Sequence, residues 1–224
     1  MQQAKEEAIL MLELVQDMFE TVTSALSGES SPEKRENITL TDKKVNRIHR
    51  RSRRKIFEHL SFAGNRDLFS SLATLSVVND IERIGDYNKN IADVIDLVPN
   101  RLDLQDYGQD FADLWQRTRE FFAMTLNAIR DDDINAAAHV LNIYDEVSDI
   151  CDGIIKKIMI ENTNAIPKDL VALILLLRYF KRVNAHLKNV CSAVINPFHR
   201  IGYKPKKKHM VKINKLSDPD EPLE

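Results

Sequence analysis

Glycine and proline are scarce, at 6 and 7 in 224 residues, too few to turn the many short strands of an all-β protein. Cysteine is scarcer still. Cys151 and Cys191 are the only two, and they stand in helical patterns at small apolar positions. Without Cys-x-x-Cys spacing they form neither a zinc site nor a redox pair, so free core thiols in a reducing compartment are expected. No apolar run reaches the roughly 20 residues of a membrane span, since Leu170–Leu177 stops at Arg178. No secretory leader precedes the first helix, which is charged from Lys5 onward, and a cytoplasmic protein is expected. No glutamate is followed three residues later by histidine, the spacing a carboxylate-bridged di-metal enzyme requires. The histidines do not cluster by spacing; His49, His139 and His186 read as helix-surface or boundary residues. With no glycine-rich phosphate loop and no nucleophile-base set to argue for, an enzyme is not expected.

What the chain does have is apolar residues at helical spacing, within a composition 43% hydrophobic. Helix one is expected over Ala4–Leu26, with Ile9, Leu10, Leu12, Val15, Phe19 and Val22 on its buried stripe. Ser27–Leu40 collects Gly28, Ser30, Ser31 and Pro32 and reads as a loop. Thr41 and Asp42 then cap helix two, whose Val45, Ile48, Ile56, Phe57 and Leu60 point inward and which ends at Gly64-Asn65. After the long third helix, Pro99–Gly108 is a connection, and helix four carries Leu114, Trp115, Phe121, Phe122 and Ile129. Asp131–Asp133 end it and place negative charge at the start of helix five, Ile134 to Ile160. Helix six runs from Lys168 to Ile195 and closes at Asn196-Pro197.

The second half repeats the first. Phe19, Ala25 and Leu26 align with Phe122, Ala128 and Ile129 at an offset of 103; Val45, Ile48 and Ile56 align with Val147, Ile150 and Ile158 at 102; Lys89-Asn90-Ile91 aligns with Lys188-Asn189-Val190 at 99. Three consecutive helices matching at nearly one offset make an internal duplication. A lone three-helix unit leaves an apolar face that its twin can cover. The expected fold is therefore all-α: a six-helix bundle of two pseudo-symmetric three-helix repeats, 4–100 and 105–198, followed by a flexible charged tail at 199–224.

Helix three, Ser71–Leu97, carries the most specific pattern. Leu72, Leu75, Val78, Ile84, Ile91, Val94 and Ile95 mark its buried face, and Asn79, Glu82, Asp86, Asn90 and Asp93 a polar line on another side. Glu82 and Asp86 are one turn apart, so both carboxylates project from one face, as a hard-cation site needs. Gly85 between them costs about 1 kcal/mol against alanine in a helix interior, and a close-packed neighbour is the expected reason. The run Val78-Asn79-Asp80-Ile81-Glu82-Arg83-Ile84-Gly85-Asp86, followed by Asn90-Ile91-Ala92, resembles the signature of the PhoU family, helical phosphate-uptake regulators. The resemblance spans about residues 4–200. It implies a non-enzymatic regulator of inorganic phosphate transport acting through contacts with a membrane-associated phosphate transporter or a phosphate-sensing kinase. The cytoplasmic PhoU-like domain of a sodium/phosphate symporter is the alternative it admits, and a carboxylate metal-binding helical bundle is a further one.

In that family the acidic pair contributes to surface metal clusters, which here implies a divalent or iron-type metal at Glu82, Asp86 and Asp42. The match is incomplete. Asn46 stands beside Asp42; Lys181 and Ala185 replace the pair in the second unit; Tyr144 and Ser148 replace the second unit's other acidic positions. Asp145 and Asp149 are out of register and are expected to be solvated. Any metal is thus expected to be confined to the first unit, and arginines of helix two are expected to compete for its carboxylates, because Arg83 points about 100° away from Glu82 around the helix.

Helix two supplies those arginines. From Asp42 to Lys55 it carries eight cationic side chains against one carboxylate, a segment charge of +7. Like charges at i+3 and i+4 repel by a few tenths of a kcal/mol each, so an acidic counterpart is expected, either the acidic face of helix three or something external: a phosphate-rich ligand, an anionic membrane surface or an acidic patch on a transporter or kinase. Arg47, Arg50, Arg51 and Arg54 are the residues expected to bind the partner or anion. Association into a homodimer is admitted as well. Nucleic acid is disfavoured, because aromatic residues are not interleaved with the basic ones and the whole chain is slightly acidic.

Overall fold

The computed structural model describes residues 2–27, 31–63, 67–98 and 102–205. Among them are six α-helices: α1 (Gln2–Ser24), α2 (Pro32–Ala63), α3 (Leu68–Leu97), α4 (Gly108–Arg130), α5 (Ile134–Glu161) and α6 (Lys168–Ile195), with no strand. Helix α2 begins in the stretch expected to be a loop. Pro32 occupies the first helical position, where its missing N–H is no loss, and Ser31 Oγ accepts from Lys34 N at 3.3 Å. Ser31-Pro32-Glu33 is a helix start, and Thr41-Asp42 lies well inside the helix it opens. The expected stop at Gly64-Asn65 lies outside the described residues. At the start of α5 the Asp133 carboxylate accepts from Asn135 N at 2.9 Å and Ala136 N at 3.0 Å, which satisfies two of the amides a helix leaves unpaired.

Each half is a three-helix unit, α1–α3 and α4–α6, with every helix packed on the other two of its own unit. The halves join along α3 and α6, with a smaller contact between α1 and α4. The central helices α3 and α6 run antiparallel: Asp80 meets His186, and Tyr87 meets Tyr179 at 6.1 Å between ring centroids. Repeat-equivalent residues touch one another at the junction. Phe19 lies 5.2 Å from Phe122, and Tyr87 stacks 5.6 Å from His186. A twofold relation requires this of residues on its axis. Phe180 closes the centre, 5.2 Å from Phe19 and 5.3 Å from Phe111, and the buried side chains of both units form one continuous core.

Two positions differ from the apolar stripe expected of them. Leu10 is partly exposed, and Phe57 faces solvent with 71% of its surface exposed. Ile56, fully packed, takes the inward direction, and the next residue along a helix is turned about 100° away. Beyond α6, residues 199–205 fold back on that helix: Gly202 N donates to Ser192 Oγ at 2.8 Å, Asn196 Nδ2 to the Tyr203 carbonyl at 2.7 Å, and Lys188 Nζ to the Gly202 carbonyl at 2.7 Å. The rest of the expected charged tail, 206–224, lies outside the described residues.

Candidate functional site

The packing of α2 on α3 brings Asp42 to the carboxylate face of α3. The group that bridges Asp42 and Asp86 is Lys89 and not an arginine of α2. Lys89, one turn beyond Asp86 on α3, places Nζ 3.0 Å from Asp42 Oδ1 and 2.9 Å from Asp86 Oδ1. The other oxygen of Asp42 accepts from Asn46 Nδ2 at 3.0 Å. Arg83 also reaches this face, contrary to the direction of its Cα–Cβ bond: its guanidinium lies 3.3 Å from Asp86 Oδ2 and 3.9 Å from Glu82 Oε2, because a long side chain spans one turn easily. Burial alone would push the Lys89 ammonium down, but the hydrogen bonds it donates to Asp86 and Asp42 outweigh it and hold the group charged above its usual range. Gly85 lies over α1, where a methyl group would meet Val15 Cγ1 at 3.4 Å and Val45 Cγ1 at 3.9 Å.

This donor set does not fit a multinuclear metal cluster. Asp42 and Asp86 each give an oxygen to an ammonium, Asp42 gives its second to an amide, and a cluster needs several carboxylates to complete its shell. Among the described residues no three His, Cys, Asp or Glu side chains converge as metal ligands. The second unit repeats the device with different chemistry. Lys188, equivalent to Lys89, sits 5.0 Å over the ring of Tyr144, the residue standing where the first unit has Asp42, and Lys181, at the place of Glu82, pairs with Asp152. The lower end of the α3 polar line is held by Arg35 of α2, which pairs with Asp93 and, at 3.1 Å, with Asp96.

The internal counterpart of the basic segment 42–55 comes from α1, not from α3. Glu7 is buried and receives Arg51 at 2.7 Å, Lys55 at 2.7 Å and Ser52 Oγ at 2.5 Å. Burial would raise the Glu7 carboxyl, but the hydrogen bonds of Lys55 and Ser52 and the charges of Arg51 and Lys55 prevail and hold it below its usual range. Of the predicted basic residues, Arg51 is thus committed to the fold. Arg47, Arg50 and Arg54, together with Lys43, Lys44 and Arg53, are exposed and form no ion pair among the described residues. Lys43, Asn46, Arg47, His49, Arg50, Arg53 and Glu82 line an open depression on this face. His49 is nearly buried and shares a 2.7 Å hydrogen bond with Asn79 Oδ1, and His186 is engaged by Asp80 at 2.6 Å. Both have structural partners. The face is an exposed cationic surface.

Sequence reasoning missed Lys89 and Glu7. Lys89 was visible at i+3 from Asp86, whereas nothing near Glu7 in sequence points to partners 44 and more residues away.

The family model of the PhoU domain matches the chain twice, over residues 9–95 and 111–194. Among solved structures, the crystal structure of PhoU from Pseudomonas aeruginosa superposes with a TM-score of 0.73 at 20% identity, covering 87% of this chain and 94% of that one. The phosphate transport system regulatory protein PhoU from Streptococcus pneumoniae gives 0.74 at 16% identity, covering 87% and 92%. At these identities the likeness speaks for the fold. Comparison with curated protein sequences gives no match. Two family-domain matches, one on each three-helix unit and together spanning most of the sequence, place this chain in the PhoU family.

Proposed function

We propose that this protein is a non-enzymatic regulator of inorganic phosphate transport, acting at the cytoplasmic side of the membrane by contact with a phosphate transporter or a phosphate-sensing kinase. The observation that carries the reading is the pair of PhoU domains fused in one bundle, supported by a fold shared with a phosphate transport system regulatory protein. None of the six described helices is long and apolar enough to cross a membrane. The contact surface is the basic face of α2, where Arg47, Arg50 and Arg54 form no ion pair among the described residues. Lys89 supplies positive charge between Asp42 and Asp86, so a cation at Glu82, Asp86 and Asp42 would have to displace its ammonium first.

Deleting the chain in its own cell and following radiolabelled phosphate tests this. Uptake is expected to stay high when external phosphate is plentiful, with the wild-type chain restoring control and an Arg47→Gln/Arg50→Gln/Arg54→Gln chain restoring little of it. Uptake that responds to phosphate identically with and without the chain overturns the reading.

A further inference from the structure

The two halves share one plan but carry opposite charge on one equivalent face. At the offset that aligns Val45 with Val147, Lys43, Lys44, Arg47 and Arg50 of α2 coincide with Asp145, Glu146, Asp149 and Asp152 of α5. The acidic copy is largely neutralised inside the chain: Lys204 pairs with Asp145, Arg117 holds Glu146 at 3.0 Å, and Lys181 pairs with Asp152. The basic copy has no such partners among the described residues. One end of one half is therefore left with concentrated, uncompensated positive charge.

That basic stripe runs into aromatic residues. Lys43, Arg47, Arg50, Arg54 and Phe57 step by four, three, four and three residues, so they lie along one face of α2 over about 21 Å. Phe57 is 71% exposed, and the same end of the molecule adds Phe62 at 91% in the last turn of α2 and Phe69 at 70% in the first turn of α3. A 2.8 Å contact between His59 and Asp67 ties those two helix ends together. Three phenylalanines stand exposed to water at this end of the molecule, beside arginines that form no ion pair among the described residues. They match the chemistry of a bilayer surface, where anionic headgroups take the arginines and the headgroup-acyl boundary takes the rings.

We propose that the basic face of α2 and the phenylalanines at its end dock the protein on an anionic lipid bilayer, with Phe57, Phe62 and Phe69 entering the interface. The proposal rests on the reading of this face as the contact surface and assigns its arginines to the lipid around the transporter.

The test is sedimentation of the full chain with vesicles of phosphatidylcholine alone or mixed with phosphatidylglycerol. Binding is expected only to the anionic vesicles and is expected to fall with salt. At about fivefold per basic residue, Arg47→Gln/Arg50→Gln/Arg54→Gln is expected to lose about a hundredfold in affinity while its helical circular dichroism is retained. Phe57→Ser/Phe62→Ser/Phe69→Ser is expected to bind more weakly but with the salt dependence kept, and the emission of Phe57→Trp is expected to shift to the blue on anionic vesicles. No binding at low salt, or an unshifted Phe57→Trp emission in vesicle-bound protein, overturns the proposal. So does a wild-type dimer that Arg50→Gln makes monomeric, which would assign the face to a second copy. A chain that ignores vesicles but binds the detergent-solubilised transporter through the same arginines overturns lipid docking and leaves the regulatory reading standing. Vesicle binding in a chain without influence on phosphate uptake does the reverse.

Discussion

Lys89 Nζ lies 3.0 Å from Asp42 Oδ1, a contact between α3 and α2 made by an ammonium where the family pattern leads one to look for a metal. It lies within reach of Asp86 as well, at 2.9 Å. Removing it in Lys89→Ala leaves two carboxylates facing each other, and the loss in stability is expected to be about 1 kcal/mol, since all three groups are partly solvated. Millimolar calcium or manganese is expected to raise the melting temperature of the variant and leave that of the wild type unchanged. The Lys89 ammonium is held above its ordinary value of 10.5 in the folded state. Its contribution is therefore fully present below pH 10.5 and lost as pH rises through the raised value, so the stability gap between wild type and variant is expected to be flat at neutral pH.

Glu7 provides the acid-side counterpart. Its carboxyl is held below 4.5 in the folded protein, so the stabilisation is present above pH 4.5 and disappears as pH falls through the lowered value. Glu7→Gln leaves Arg51 and Lys55 without an anion. Breaking a buried ion pair costs about 3–5 kcal/mol; with Arg51 52% exposed, about 2 kcal/mol is expected at pH 7 after allowing for solvent screening. Urea unfolding at neutral pH and in acid is expected to show that difference shrink toward zero in acid.

Gly85 is more tolerant than its position suggests. A methyl group there meets Val15 Cγ1 at 3.4 Å, an ordinary contact, while alanine gains about 1 kcal/mol of helix propensity over glycine. Thermal unfolding of Gly85→Ala is expected to match or exceed wild type, and Gly85→Leu, which would drive a branched chain into α1, is expected to be destabilised by at least about 1–3 kcal/mol.

The thiols are expected to be silent. Burial pushes Cys151 and Cys191 up to about 12, and Cys191 Sγ is further engaged with Thr125 Oγ1 at 3.3 Å. With so little thiolate, neither is expected to react with a disulfide reagent at pH 8 until denaturant is added, when both are expected to titrate.

Much of the fold could be read from periodicity. The apolar spacing of Val78, Ile84 and Ile91 gave α3, the shared offsets gave the duplication, and Asp133 announced the start of α5, because each depends on residues a few positions apart. The start of α2 was misjudged for a local reason: Gly28, Ser30 and Ser31 carry a strong turn signal, and it masked the Ser31-Pro32-Glu33 cap that follows. At the site, Asp42 and Asp86 were legible as carboxylates on facing helices, while the Lys89 ammonium that bridges them was not.

The sequence alone determined that six amphipathic helices form in two similar sets, since helix formation and the direction of an apolar stripe follow from neighbours within a turn or two. Only the tertiary structure decided which charges meet. Helix rotation and depth of packing are set by the core around Phe19, Phe122 and Phe180, and a rotation of one residue, about 100°, determines whether a side chain finds a partner or faces water. That is why Arg51 is joined to Glu7 while Arg50, its neighbour in sequence, stands unpaired, and why Ile56 is packed in the core while Phe57 is left on the surface.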